Sequence, residues 1–147
     1  MEQAEVVDRI VHEHTELQEY LLQWEAALLQ FDSGRFTTWQ QGLEHLWRLV
    51  PFLDNELPRH FRTEEDQLFP RVGAHHPDAV KALAAFQGEH AELARQWQRY
   101  KQDLLYCDAV GGTQPARERG LELIGRLRQH IQEEEAALLP LLGADAA

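Results

Sequence analysis

The stretch that decides the fold runs from His60 to Pro70 and reads His-Phe-Arg-Thr-Glu-Glu-Asp-Gln-Leu-Phe-Pro. Its pattern recurs from His130 to Pro140 as His-Ile-Gln-Glu-Glu-Glu-Ala-Ala-Leu-Leu-Pro. A shorter stretch precedes each copy, Glu-His-Thr-Glu-Leu at 13–17 and Glu-His-Ala-Glu-Leu at 89–93. The two halves of the chain are therefore one predicted helix pair written twice. In each longer copy a histidine and a glutamate stand four residues apart, on one face of a helix.

Turn signals divide the chain into four predicted helical segments. Asp32-Ser33-Gly34, the region 73–77 and the region 108–115, which includes Gly111-Gly112, contain residues that favour turns. The segments are about 3–31, 35–72, 77–107 and 114–142, and they are rich in leucine, alanine, glutamine, glutamate and arginine, which favour helices. Pro51 and Pro58 fall inside the second segment and predict a kink or break there.

Every segment carries an apolar stripe with alternating three- and four-residue steps. The first stripe, for example, reads Val7, Ile10, His14, Leu17, Leu21, Trp24, Leu28. This period is typical of helices that pack nearly parallel or antiparallel. We therefore predict an all-α protein with an up-down-up-down four-helix bundle. The length of 147 residues suits a single domain over 1–147.

Charge and composition exclude several classes of function. The chain has 14 Lys+Arg against 25 Asp+Glu, and its net charge of −11 argues against nucleic acid and anionic lipid as partners. No apolar run approaches the ~18 residues of a membrane span, and the acidic N-terminus is unlike a secretory signal. The single cysteine, Cys107, excludes an intrachain disulfide and fits a reducing compartment, so we expect a cytoplasmic protein.

A histidine interrupts every stripe, at His14, His60, His90 and His130. Two stripes also carry a glutamate four residues later, Glu64 and Glu134. A lone histidine in an apolar stripe is most often a satisfied core residue, but six polar groups in one core need a shared partner, because burying them unpaired is costly. A metal centre supplies that partner. Four imidazoles and two carboxylates suit two ions, and the absence of thiolates favours iron, with manganese or zinc as alternatives.

These residues give the sequence a specific resemblance. Nearly the whole chain resembles the hemerythrin-like (HHE cation-binding) domain family, and its four His and two Glu resemble the di-iron domain of the iron–sulfur cluster repair (RIC) family. The resemblance implies two iron ions with a bridging oxo or hydroxo group, held by the imidazoles of His14, His60, His90 and His130. It also implies that Glu64 and Glu134 bridge the irons. Glu56 and Glu89 would line the path to them.

The sequence departs from both families at particular points. Oxygen-carrying hemerythrins have a fifth histidine one turn after the helix-three ligand, where this chain has Ala94. They carry an aspartate five residues after the last histidine, whereas Glu134 follows His130 by four. Reversible oxygen carriage is therefore not the expected function. The chain also begins at the predicted first helix, without the extra N-terminal domain of the RIC family, so complete repair activity is not expected either.

We therefore expect a non-haem di-iron protein that binds or reacts with a small oxidant, namely O₂, NO or peroxide, in stress or iron homeostasis. A first alternative is an oxygen, redox or iron sensor that signals through a partner interface without turnover. A second is a metal-free bundle with buried polar networks. The sequence does not distinguish an enzyme from a storage protein or a sensor. It is also compatible with a monomer and with a homodimer.

Other polar residues have simpler interpretations. The remaining histidines are interpreted as incidental: His12, His45, His75 and His76. Glu65, Glu133 and Glu135 are interpreted as solvated or supporting carboxylates. Glu13 and Glu89 lie one step off the stripes, and outside a metal role we interpret both as surface carboxylates.

Overall fold

The described residues fold almost entirely into helices. The structure is a computed structural model that describes residues 2–30, 39–110 and 114–146. The elements in chain order are α1 (Gln3–Leu29), α2 (Trp39–Thr63), a π-helical segment (Glu64–Leu68), α3 (Phe69–His75), a 3₁₀ turn (Pro77–Ala79), α4 (Val80–Val110) and α5 (Gln114–Ala146). The described residues contain no strand, which confirms the all-α prediction. The predicted turns at Asp32-Ser33-Gly34 and Gly111-Gly112 lie outside them.

Contacts between side chains show that neighbouring helices run antiparallel. Between α1 and α5, the Gln3 side chain donates a hydrogen bond to the Leu142 carbonyl and Arg128 donates one to Glu25, so residue numbers rise in one helix as they fall in the other. The same opposite progression joins α1 to α2, α2 to α4 and α4 to α5. These four pairs of helices are packed neighbours. The architecture is therefore the predicted up-down-up-down bundle.

The apolar stripes form two separate clusters along the bundle. In α1, Val6 and Ile10 belong to a smaller cluster, whereas the buried apolar residues from Leu17 to Leu28 belong to a larger one. In α5, Leu138 belongs to the smaller cluster and Leu127 to the larger one. A layer of polar residues lies between the clusters on every long helix. Among the described residues, no helix combines the length and apolar character needed to cross a membrane.

Pro51 and Pro58 lie inside a continuous α2, so of the predicted kink or break, the break is wrong. Both prolines are exposed and lie two turns apart on the outer face, where carbonyls that lose an N–H partner can bond to water. The irregularity comes later, at the π-helical segment Glu64–Leu68, after which the chain continues directly into α3. Short π-helical segments are frequent at functional sites, and this one begins at one of the predicted metal ligands.

Candidate metal centre

Six polar side chains from all four long helical stretches meet in the layer between the apolar clusters. They are His14, His60, Glu64, His90, His130 and Glu134, and each is between 0% and 3% exposed. The helical period explains the inward direction, because residues four apart lie one above the other on the same face. The structure thus brings together all of the residues that the sequence predicted for the metal site.

These side chains form two groups of four that share both glutamates. His14 and His60 join Glu64 and Glu134 in one group. The second group consists of the same glutamates with His90 and His130. Within each group the ligand atoms lie within 4.8 Å of one another, which is close enough to surround one ion. No other such cluster of three or more His, Cys, Asp or Glu occurs in the described part of the chain.

The inward-facing atoms make no hydrogen bonds. Nε2 of all four histidines and both carboxylate oxygens of Glu64 and Glu134 are buried without a hydrogen-bond partner. Each Nε2 nevertheless lies between 2.9 and 3.4 Å from a carboxylate oxygen. Buried polar atoms are nearly always paired, so atoms that converge in this way fit a common partner that takes lone pairs. Imidazole nitrogen and carboxylate oxygen are both metal ligands, so the residues present fit metal ions.

The centre has an internal two-fold symmetry that matches the sequence repeat. The ring centroids of His14 and His60 are 4.6 Å apart at 63°, and those of His90 and His130 are 4.8 Å apart at 64°. Glu64 contacts the first pair of rings and also His90. Glu134, its counterpart in the second half, contacts the rings of His90 and His130 and also His14. Residues that are equivalent in the repeat are therefore equivalent in the site.

On its outer side, each histidine contacts a further carboxylate through Nδ1. The pairs and their nitrogen–oxygen distances are His14 with Glu135 at 2.7 Å, His60 with Glu13 at 3.0 Å, His90 with Glu65 at 3.2 Å and His130 with Glu89 at 3.1 Å. We call these four glutamates the outer carboxylates. Sequence reasoning did not find them as a set. The signal was the repeat itself, which places a glutamate directly before His14 and His90 and directly after the two central glutamates.

Glu13 differs from its sequence interpretation. It is 4% exposed and is not a surface carboxylate, so that interpretation is wrong. Two partners explain its burial: His60 on α2, and the Nε atom of Arg9, which donates to Glu13 at 3.1 Å from the previous turn of α1. Glu13 is thus the sequence neighbour of His14 on α1, but its carboxylate contacts His60 on α2.

The two residues expected to line an access path have different surroundings. Glu56 forms an ion pair with Arg59 at 2.6 Å rather than with any of the six central side chains. Glu89 contacts His130 and borders a groove of about 220 Å³, which we call the polar groove. Its other lining residues are Glu92, Leu93, Arg126, Gln129 and His130.

The remaining positions singled out in the sequence lie outside the centre. Ala94 is exposed, so the position of the fifth histidine in oxygen carriers does not face the cluster. None of the four other histidines belongs to either group: His12, His45, His75 and His76. Of these, His12 is exposed and pairs with Glu16 at 2.8 Å.

Aromatic rings shield the centre. Phe61 and Phe69 both stack on His90, with centroid distances of 4.2 and 5.6 Å, and Phe86 meets the ring of His130 edge-on at 5.8 Å. A larger groove of about 380 Å³ on α4 and α5 touches none of the six central side chains. Apolar rings therefore cover part of the centre, and the polar groove beside His130 is small for a large organic substrate.

Electrostatics favour charged carboxylates at this layer. Burial opposes ionisation of Glu13 and Glu64, but the basic side chains around them outweigh it and lower the pKa of both, that of Glu64 well below its usual range. Burial also opposes protonation of His14 and His60, yet the adjoining carboxylates raise the pKa of both rings. For His130, burial and then the charge of another histidine lower the pKa. The Glu64 carboxylate is therefore ionised at neutral pH and offers negative charge to a cation.

Comparison with known proteins gave one result. A family model described as "Hemerythrin HHE cation binding domain" matches residues 4–142. That span includes all six central side chains and the outer carboxylates. The comparisons with curated proteins and with solved structures gave no match.

Proposed function

Because the chain belongs to the hemerythrin HHE cation-binding family, we propose that it is a non-haem di-iron protein that binds or reacts with small oxidants. The observation that carries this proposal is the pair of four-residue groups that share Glu64 and Glu134. His14 and His60 would hold one ion, the other two histidines of the centre would hold the second, and both carboxylates would be available to each ion. The whole of 1–147 then acts as one domain.

The donor set supports iron as the metal. Every donor is an imidazole nitrogen or a carboxylate oxygen, and neither group contains a cysteine. Such donors suit iron, with manganese and zinc as the alternatives. The ionised Glu64 carboxylate also offsets part of the positive charge that two cations bring into a buried layer.

A bound di-iron centre supplies coordination positions for O₂, NO or peroxide and the electrons to react with them. The role of the protein is to hold the six donor side chains on packed helices, where neighbouring residues fix the rotamer of each donor. Phe61, Phe69 and the two apolar clusters keep bulk water and large molecules away from the layer. The polar groove beside His130 offers small molecules an approach from solvent. This arrangement supports a role in the response to oxidants or in iron homeostasis, and the single cysteine supports a reducing compartment such as the cytoplasm.

Metal content tests the proposal directly. Protein loaded anaerobically with Fe²⁺ and freed of excess metal is expected to hold two ions per chain and to show a near-ultraviolet charge-transfer absorption once oxidised. Glu64→Ala and Glu134→Ala each remove a carboxylate common to both groups, so each is expected to lose most of the metal. Glu133→Ala is the matched control, because Glu133 is exposed and adjoins Glu134. Unchanged metal content in both central variants would contradict the proposal.

A second experiment separates the classes of function. The reduced, iron-loaded protein is titrated anaerobically with O₂, NO and peroxide in turn and followed by its absorption spectrum. Continuous consumption of one reagent identifies an enzyme for that reagent. A stable, reversible change without consumption identifies binding or sensing, and a change in oligomeric state or partner binding on oxidation then identifies a sensor.

A further inference from the structure

Each histidine of the centre contacts one outer carboxylate, and this one-to-one pairing carries the inference. We propose that Glu13, Glu65, Glu89 and Glu135 are positioning residues that fix the orientation and the proton of the four histidine rings, and that Arg9 makes the hold on the His60 ring firmer than the hold on the His130 ring. The inference rests on the proposed metal site and assigns it four residues beyond the six central side chains.

The chemistry of the contact fixes where the ring proton lies. An ionised carboxylate can only accept a hydrogen bond, so Nδ1 of each histidine must be the donor. The Nε2 lone pair is then free to face inward, where all four Nε2 atoms make no hydrogen bond. A carboxylate that accepts from the outer nitrogen of a ligating histidine holds the ring in place and makes it a better ligand. The outer carboxylates have the correct geometry for this role at all four rings.

The pairing also ties the two halves of the repeat together. Glu13 contacts a histidine of its own half, and Glu89 does the same in the second half. Glu65 instead reaches His90 in the second half, and Glu135 reaches back to the first. Each central glutamate is therefore followed by a residue that orients a ring of the opposite half. Each pair of consecutive glutamates thus supplies one donor that both groups share and one carboxylate that supports a ring of the opposite half.

One of the differences between the two halves lies beside an outer carboxylate. Arg9 stands four residues before Glu13 and donates to it, and the side chain of Glu13 is 5% exposed. The equivalent position four residues before Glu89 is Ala85, and the Glu89 side chain is 44% exposed. A buried carboxylate held by a guanidinium is shielded from water. At an exposed carboxylate, water competes with the histidine for the same hydrogen bond. The His60 ring is therefore held more firmly than the His130 ring.

Metal extraction tests the positioning role. The full chain is loaded with Co²⁺, and the rate of removal by excess chelator is followed through the cobalt absorption bands. Glu13→Ala is expected to speed extraction by about 10-fold or more. Glu13→Gln is expected to recover much of the loss, because the amide oxygen still accepts a hydrogen bond. Glu133→Ala removes an exposed charge that touches no ring and is expected to leave the rate unchanged.

Proton NMR of the same cobalt protein tests the asymmetry. Each Nδ1–H near the ion gives a shifted, solvent-exchangeable signal, so four signals are expected. The signal lost in Glu13→Ala should exchange most slowly in the parent protein, and Arg9→Ala should accelerate it. Ala85→Arg reproduces the Arg9–Glu13 spacing before Glu89 and is expected to slow the signal that Glu89→Ala removes.

The outcomes separate the inference from the proposed function. Uptake of two ions, with faster extraction from Glu13→Ala than from Glu133→Ala, supports both. Uptake of two ions, with equal extraction rates for those variants, overturns the positioning role and leaves the proposed function intact. Failure of the parent protein to bind two ions overturns the proposed function and the inference with it. Exchange rates that do not respond to Arg9→Ala or Ala85→Arg overturn the asymmetry alone.

Discussion

Trp24 on α1 donates a hydrogen bond from Nε1 to the hydroxyl oxygen of Tyr100 on α4, at 2.9 Å. The two residues are 1% and 2% exposed, and their rings meet edge-on at 4.9 Å between centroids. The two helices lie diagonally across the bundle, so this bond passes through the larger apolar cluster. It gives the interior a directional contact that apolar packing alone does not supply.

Tyr100→Phe is expected to leave the Trp24 N–H buried without that acceptor. An unsatisfied buried donor costs about 1–3 kcal/mol of unfolding free energy. Chemical denaturation at neutral pH measures the loss. Tyr106→Phe is the matched control, because Tyr106 is 58% exposed and water replaces any bond lost there. Equal stability of the two variants would show that the buried bond contributes nothing.

Gly120→Ala is expected to destabilise the protein, although alanine is the better helix former. A Cβ atom at this position would lie 2.6 Å from Leu28 Cδ1 and 3.0 Å from Tyr100 Cε2, both in the core. Overpacking of this kind costs about 1–3 kcal/mol. Gly125→Ala, in the same helix and with no heavy atom within 4 Å, should instead gain about 0.5–1 kcal/mol. Thermal melts of the two variants should shift in opposite directions, and a shared direction would contradict the close approach.

The Glu25–Arg128 ion pair predicts a pH dependence of stability. Arg128 donates to both carboxylate oxygens, at 2.6 and 3.2 Å, and this contact is the main cause that lowers the pKa of Glu25. A carboxyl whose pKa is lower in the folded state stabilises the protein above its unfolded pKa, near 4.5. That contribution is lost as the pH falls through the lower, folded pKa.

Glu25→Gln should therefore be less stable than the parent at pH 7, by under about 1 kcal/mol for a partly exposed pair. The difference should vanish in acid below the folded pKa. Urea titrations across that range, in one metal state throughout, measure it. Glu19→Gln, on the exposed surface of the same helix, controls for loss of a negative charge. A difference that stays constant with pH would exclude the ion pair as its source.

Removal of metal is expected to lower the stability of the whole bundle. A ligand that binds only the folded state stabilises it by about 2.7 kcal/mol at a free concentration one hundred times Kd. Thermal unfolding with and without chelator measures the effect in the parent protein. Glu64→Ala should unfold at the same temperature under both conditions, because this variant does not bind the metal that stabilises the folded parent protein. An identical transition in the parent with and without metal would favour the metal-free bundle.

The sequence predicted the bundle and the six central residues because both are carried by helical periodicity. A histidine at a stripe position that is usually leucine can be identified from the periodicity of its own helix, without knowledge of the neighbouring helix. The outer carboxylates were harder to predict, because residues such as Glu13 and Glu65 lie off the stripe. Which ring they meet depends on the packing of a second helix. The π-helical segment could not be predicted from the sequence either. The equivalent residues 134–138 have the same spacing of glutamate and leucine, yet they lie in a regular α-helix.

Two apolar clusters separated by a charged layer make the cooperativity of this bundle depend on what the layer holds. With cations in place, attraction across the layer joins the clusters, so that the ends of the bundle should unfold together. Without them, a seam of buried ionisable groups divides the interior, and the smaller cluster around Ile10 and Leu138 becomes the weaker unit. Amide hydrogen exchange at that end would then respond to iron supply, and degradation of the protein would follow the metal status of the cell.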